Sequence, residues 1–215
     1  MTASTPAAGL RDSGWHLSPL RRVTSAPFTY GYLAVLLATT LLLRNVSSEV
    51  ADRLLTGSST DVAHLTHEPI RVLVASALWL PGRWWLPYAL LFLLVLAPLE
   101  RRFGVRRAAL VFLSGHVLAT LLTELPIGAA IAMHLLAPAE AHRLDVGVSY
   151  GTYAAVAAFA GSLRRRRAML VLGAAVVSIV VPEAADPDMT MWGHLISLGI
   201  GLCWWPFLYR RRTIA

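Results

Sequence analysis

Gly147-Val148-Ser149-Tyr150-Gly151-Thr152-Tyr153-Ala154-Ala155-Val156-Ala157-Ala158-Phe159-Ala160-Gly161-Ser162-Leu163 is followed at once by Arg164-Arg165-Arg166-Arg167. The run carries no charge, whereas a surface helix of a soluble domain would set a polar face against an apolar one. An apolar run closed by a block of arginines reads as a membrane-crossing helix whose arginine end stays in the cytoplasm. Its opposite end then lies at the outer face, with the Ser149 hydroxyl just inside it.

The same pattern repeats outward along the chain. Six segments are apolar and long enough to approach the roughly 20 residues a helix needs to cross a bilayer: 27–43, 84–99, 107–125, 147–163, 168–181 and 190–209. The second, fourth and fifth are short and are expected to extend into their flanks. A weaker run, 127–136, either lengthens the third helix or lies at the interface. Fourteen of the nineteen arginines fall in the N-terminal stretch, the 2–3 and 4–5 connections and the tail, beside only Asp12 and Glu100. The other three connections hold five arginines and ten of the twelve acids. The arginine bias puts both termini in the cytoplasm.

The composition agrees. Of 215 residues 56% are hydrophobic and 14% charged, against about 25% charged in a soluble domain, and mean hydropathy is +0.60. The net charge of +7 is dispersed in short clusters between apolar segments. That argues against a nucleic-acid partner, which needs a contiguous basic face, and for headgroup contact with the lipid bilayer. Cys203 stands alone, so no internal disulfide forms, and no Cys/His zinc spacing is present. The organisation expected is a polar N-terminal cytoplasmic tail (1–26), one six-helix transmembrane domain (27–209) and a basic cytoplasmic tail (210–215). The first outer connection, 44–83, is long. It has an amphipathic stretch at 46–55 and an apolar run at 70–80, and is expected to lie folded in the outer interface.

Two side chains could carry chemistry. Ser149 lies roughly 3 Å and His194, in Trp192-Gly193-His194, roughly 6 Å below the outer ends of their segments at 1.5 Å per residue. A serine hydroxyl becomes a nucleophile when a base takes its proton, and imidazole is suited to that. The bland alternative for Ser149 is a hydroxyl bonded to its own helix, whereas an intramembrane histidine is costly and so points to function. Gly147, Gly151 and Ala155 on one segment, and Gly193, Ser197 and Gly201 on the other, are small-residue rows that let two helices approach closely. His116 and Glu124, eight apart, share a helix face. They read either as a proton or metal site or as polar groups turned to the bundle interior, and no HExxH-type spacing supports metal.

These residues resemble the rhomboid intramembrane serine proteases. Gly147-Val148-Ser149 resembles the Gly-x-Ser-Gly nucleophile motif, with Tyr150 in place of its second glycine. Tyr153 matches the tyrosine that packs on the catalytic histidine. Gly193-His194, followed by Ser197 and Gly201, resembles the sixth-helix pattern. Glu100-Arg101-Arg102-Phe103-Gly104 resembles the Glu-x-Arg-x-Gly element closing the second helix. Arg71 stands at the arginine of the first-loop Trp-Arg pair, with Ile70 for the tryptophan. The second-helix His-x-x-x-Asn element is replaced by Trp84 and Tyr88.

The resemblance implies an all-α, six-helix rhomboid-like bundle and an intramembrane serine protease with a Ser149–His194 dyad. Gly147, Tyr153 and Tyr88 would be its supporting or oxyanion residues. Substrates or partners would be transmembrane proteins, and no metal or cofactor is implied. The membrane would be a bacterial-type plasma membrane. Loss of the His/Asn element favours a second reading, a catalytically inactive rhomboid-fold protein that binds transmembrane partners. Retention of Ser149 and His194 favours the protease. A small transporter with its proton site at His116 and Glu124 is a third class, for which no repeat or broken helix is visible.

Overall fold

Each of the six apolar segments carries a helix in the computed structural model, which describes residues 23–80, 85–182, 184 and 188–209. The two tails beyond these bounds, Trp84, and the acids Glu183 and Asp186 lie outside the described residues. The helices are α1 (Pro27–Asn45), α2 (Ser48–Thr56), α3 (Val62–His67), α4 (Pro69–Ser76), α5 (Trp85–Leu91), α6 (Ala97–Phe103), α7 (Val105–Ala132), α8 (Ser149–Ala160), α9 (Arg165–Val180), α10 (Met189–Cys203) and α11 (Trp205–Tyr209). No strand occurs among the described residues. Among the described residues, three stretches are long and apolar enough to cross a membrane: Pro27–Asn45, Val105–Ala132 and Met189–Tyr209.

A π-turn, Phe92–Leu96, joins α5 to α6. Pro98 in the next turn lacks an N–H and crowds the carbonyl four residues back, so the preceding helix widens rather than breaks. α7 continues through Pro126 to Ala132 and so takes in the first six residues of the weaker apolar run, 127–132, while 133–136 lie beyond its end. α8 departs from expectation. It does not extend into its flanks but is only 12 residues long, roughly 18 Å at 1.5 Å per residue, well short of a hydrocarbon core of about 30 Å. Nine of its residues are buried, because α7, α9 and α10 surround it. The outward surface is apolar instead: Leu41 and Leu42 on α1, Leu118 and Leu122 on α7, and Met169 and Leu170 on α9 are exposed.

The connection 44–83 forms three helices over its described residues. α2 is capped by the Ser47 hydroxyl, which accepts from Val50 N at 3.4 Å. α3 is capped by Asp61, which accepts from His64 N at 2.9 Å, both caps satisfying free N–H groups of a first turn. α4 turns Val72 and Ser76 inward and leaves Ile70 and Val74 exposed, as a helix lying in a membrane interface would. Arg71 forms an exposed ion pair with Glu68.

Glu100 shows what the Glu-x-Arg-x-Gly element does physically. Its carboxylate is 2% exposed and accepts from Phe28 N at 2.8 Å, Thr29 N at 2.8 Å and Thr29 Oγ1 at 2.7 Å. These are the free donors at the start of α1, where negative charge also meets the positive end of the helix dipole. Gly104, at φ +85°, then ends α6 in a conformation that side chains disfavour. Glu100→Ala leaves the α1 donors buried without an acceptor. It is expected to lower stability by about 3 kcal/mol, read as a shift in the SDS or urea unfolding midpoint in detergent.

Candidate active site

α8 begins at Ser149, one residue after its N-cap, Val148. The chain reaches that start through Gly147, whose φ of +129° is closed to most side chains and whose N–H donates to Ser76 O at 3.0 Å. Gly147 therefore precedes the helix rather than forming part of a row upon it. The approach segment is stitched to the end of α2 and the start of α3. Thr60 N donates to Asp145 O at 2.8 Å, and Thr60 Oγ1 to Asp145 Oδ2 at 3.0 Å. Asp145 N donates to Ser59 Oγ at 3.0 Å. The long first connection thus fixes the backbone that presents Ser149.

Ser149 and His194 lie on the wall of one cavity of about 490 Å³, together with Tyr88, Tyr153, Asp145 and Thr190. Leu43, Leu55 and Leu80 supply its apolar side. Two aromatic rings flank His194: Tyr153 with centroids 4.7 Å apart at 57°, and Tyr150 at 5.3 Å and 73°. The Tyr153 hydroxyl is held by Ser178 Oγ at 3.1 Å, so α9 also steadies the imidazole. His194 Nε2 is buried with no hydrogen-bond partner among the described residues. No hydrogen bond joins the Ser149 and His194 side chains.

The small-residue rows meet, but in a different register from the one expected. Gly193 lies against the ring of Tyr150, and Gly201 against Ala154 O and the Ala157 side chain. Ser197 Oγ donates to Tyr150 O. The α8 face turned to α10 is therefore Tyr150, Ala154 and Ala157. Gly151 instead faces the Phe112 ring of α7, and Ala155 faces the π-turn beside Phe92 and Leu96. The physical reason is the bulk of Tyr150. Its ring needs the space that Gly193 leaves open, and that contact sets the rotation of α8.

His116 and Glu124 are both buried and face the interior, yet each has its own partner. His116 Nε2 is 3.0 Å from Leu73 O and 3.2 Å from Ser76 Oγ, which fastens α4 to α7. Arg143 Nη2 donates to Glu124 Oε1 at 3.0 Å.

Sequence reasoning missed a second, smaller pocket lined by Glu124, Arg143, Asp145, Tyr150 and Asp188. The signal was present in the acids of the outer connections, which served only to orient the chain. Asp145 stands between the two cavities. Burial pushes its carboxyl above the usual carboxylate range; the Thr60 hydroxyl bond and Arg143 oppose this, while Asp188 and Asp61 add to it. Between the usual value of about 4 and the raised one, the folded state holds a proton that the unfolded state has lost. Stability therefore falls as pH rises through that window. Asp145→Asn keeps an acceptor for Thr60 and is expected to remove this part of the slope, measured as melting temperature against pH.

A family model described as a rhomboid-like protein matches residues 21–214. No curated protein and no solved structure matches the chain. The family match runs from ahead of α1 to beyond α11, over the whole helical frame that carries Ser149, Tyr153 and His194, and the chain belongs to the rhomboid-like family.

Proposed function

We propose that this protein is an intramembrane serine protease that cuts transmembrane polypeptides at its outer face. In this reading six helices cross a bacterial-type plasma membrane with both termini in the cytoplasm. The observation that carries the reading is the buried Nε2 of His194, which has no partner among the described residues, on the cavity that also holds Ser149. A buried nitrogen without a partner costs about 1–3 kcal/mol, a cost with a use if the atom is a base awaiting a proton.

The chemistry follows that of other serine hydrolases. Ser149 Oγ bonds to the scissile carbonyl carbon as its proton passes to His194 Nε2. The tetrahedral oxyanion is stabilised at the start of α8, where first-turn N–H groups have no helix acceptor. The Tyr88 hydroxyl on the cavity wall adds a second donor. Collapse breaks the C–N bond, and His194 returns its proton to the leaving amine. Water then attacks the acyl-serine, giving a proton to His194; the ester C–O bond breaks, His194 returns that proton to Ser149 Oγ, and the new C-terminal acid leaves. Tyr153 orients the imidazole by packing in place of a carboxylate.

One observation favours a non-cutting relative that binds transmembrane segments. Tyr150 stands where the family has a glycine, and its ring fills space beside His194. The two readings part in one experiment. The full chain is reconstituted in liposomes with labelled single-span peptides, and products are read by mass spectrometry. The protease yields two fragments from the parent and none from Ser149→Ala. Peptide capture with no fragments from either supports the binder and overturns the protease.

A further inference from the structure

The pocket beside the dyad is lined by three carboxylates and one guanidinium, and the carboxylates are graded in depth. Asp188 is exposed and Asp145 half-buried, whereas Glu124 is 2% exposed. Each keeps an oxygen that no described hydrogen bond uses. Asp188 uses Oδ1 to cap α10 through Met191 N at 2.9 Å. Asp145 uses Oδ2 on Thr60, and Glu124 uses Oε1 on Arg143. Glu124 Oε2 is buried with no partner among the described residues, and a carboxylate oxygen in that position is costly until a donor reaches it. With Arg143 counted, the four side chains carry two net negative charges when ionised.

The volume, about 160 Å³, is roughly ten times the 10–15 Å³ that one water requires. Among the described residues no three metal-ligating side chains converge, so the charge is spread too widely for a calcium or magnesium cage. Spread charge with an aromatic wall, here Tyr150, suits an extended organic cation. The pocket also shares Leu144, Asp145 and Thr190 with the cavity of Ser149 and His194. A polypeptide lying at the dyad can therefore place one side chain in it.

We infer that this pocket is a subsite for a lysine or arginine side chain of the polypeptide bound at Ser149 and His194. The inference rests on the proposed binding of transmembrane segments at that cavity, but not on their being cut. Asp188 meets the cation first, Asp145 guides it past the shared wall, and the buried Glu124 Oε2 receives it.

The test is binding to the Ser149→Ala full chain in nanodiscs, where no cutting can intervene. The probes are fluorescein-labelled single-span peptides that differ only in carrying Lys, Gln or Glu at one position near the outer end, the position being walked along that end. The lysine peptide is expected to bind about tenfold more tightly than the glutamine one at one position, on the scale of a single charge-assisted contact, with the glutamate peptide weakest. Asp145→Asn/Asp188→Asn, which keeps both hydrogen-bond acceptors, is expected to reduce that preference to less than about twofold. Asp188→Asn alone, whose asparagine also caps a helix, should give an intermediate value if the double variant does not fold. Equal binding of the lysine and glutamine peptides at every position overturns the subsite. So does a preference that survives in these variants, or calcium binding at the acids without any peptide preference. Lysine preference in a parent chain that yields no fragments would leave the subsite standing and overturn the protease. Cutting without charge preference would do the reverse.

Discussion

On the proposed protease reading, Ser149→Ala and His194→Ala are each expected to lower kcat/KM for a single-span peptide by about 10⁴-fold or more, with the double variant falling no further. In that reading nucleophile and base act as one unit, so either loss would remove the whole proton-coupled attack. The effect should not be one of folding. Ser149 is the first residue of α8, where alanine is tolerated and no described side-chain bond is lost. His194 Nε2 has no partner to lose among the described residues, although the Tyr150 and Tyr153 rings lose a neighbour. Unfolding midpoints in detergent should therefore move by about 1 kcal/mol or less for Ser149→Ala. Cleavage by either variant at the parent rate would remove the dyad from the chemistry.

Two glycines on α10, two residues apart, should respond in opposite directions. A Cβ at Gly201 would overlap the Ala154 carbonyl oxygen and stand 2.7 Å from the Ala157 side chain. The obstacle is backbone of the central helix, which cannot rotate aside, so α8 and α10 must separate. Gly201→Ala is expected to cost about 3 kcal/mol, the upper part of the range for overpacking, and Gly201→Val to prevent folding. At Gly199 a Cβ would meet nothing within 4 Å. There alanine gains about 0.5–1 kcal/mol by stiffening the unfolded chain and favouring helix. Parallel SDS-unfolding curves on the two alanine variants check both signs. Equal shifts would mean that α8 and α10 do not meet at Gly201.

The helices were legible because apolar run length and arginine placement are local properties of the chain. So was the closeness of the fourth and sixth segments, since Gly193, Ser197 and Gly201 leave little else for that face to do. The register of the partner face was not legible. Gly147, Gly151 and Ala155 read as one stripe, but the ring of Tyr150 claims the space over Gly193 and turns Gly151 toward Phe112. Nothing in the local spacing says which of two neighbouring stripes a bulky residue will choose.

The partners of the buried polar groups were equally hidden. His116 and Glu124 were readable as inward-facing but not as separate. Their partners, Leu73 and Ser76 for one and Arg143 for the other, come from connections whose fold depends on those very bonds. Glu100 could be matched to a family element from its neighbours alone. That it holds the first turn of α1 required the helices to be seen together. The tie between Thr60 and Asp145, 85 residues apart, has no sequence signal at all, yet it sets the position of Ser149.

Activation of Ser149 as a nucleophile by His194 is the core of the proposed function. Its most direct test is a fluorophosphonate probe applied to the purified full chain in detergent, with the adduct located by peptide mass spectrometry. A single phosphonylated residue, Ser149, is expected, with no adduct in Ser149→Ala or His194→Ala. A parent that stays unlabelled, or labelling that is unchanged in both variants, would contradict it.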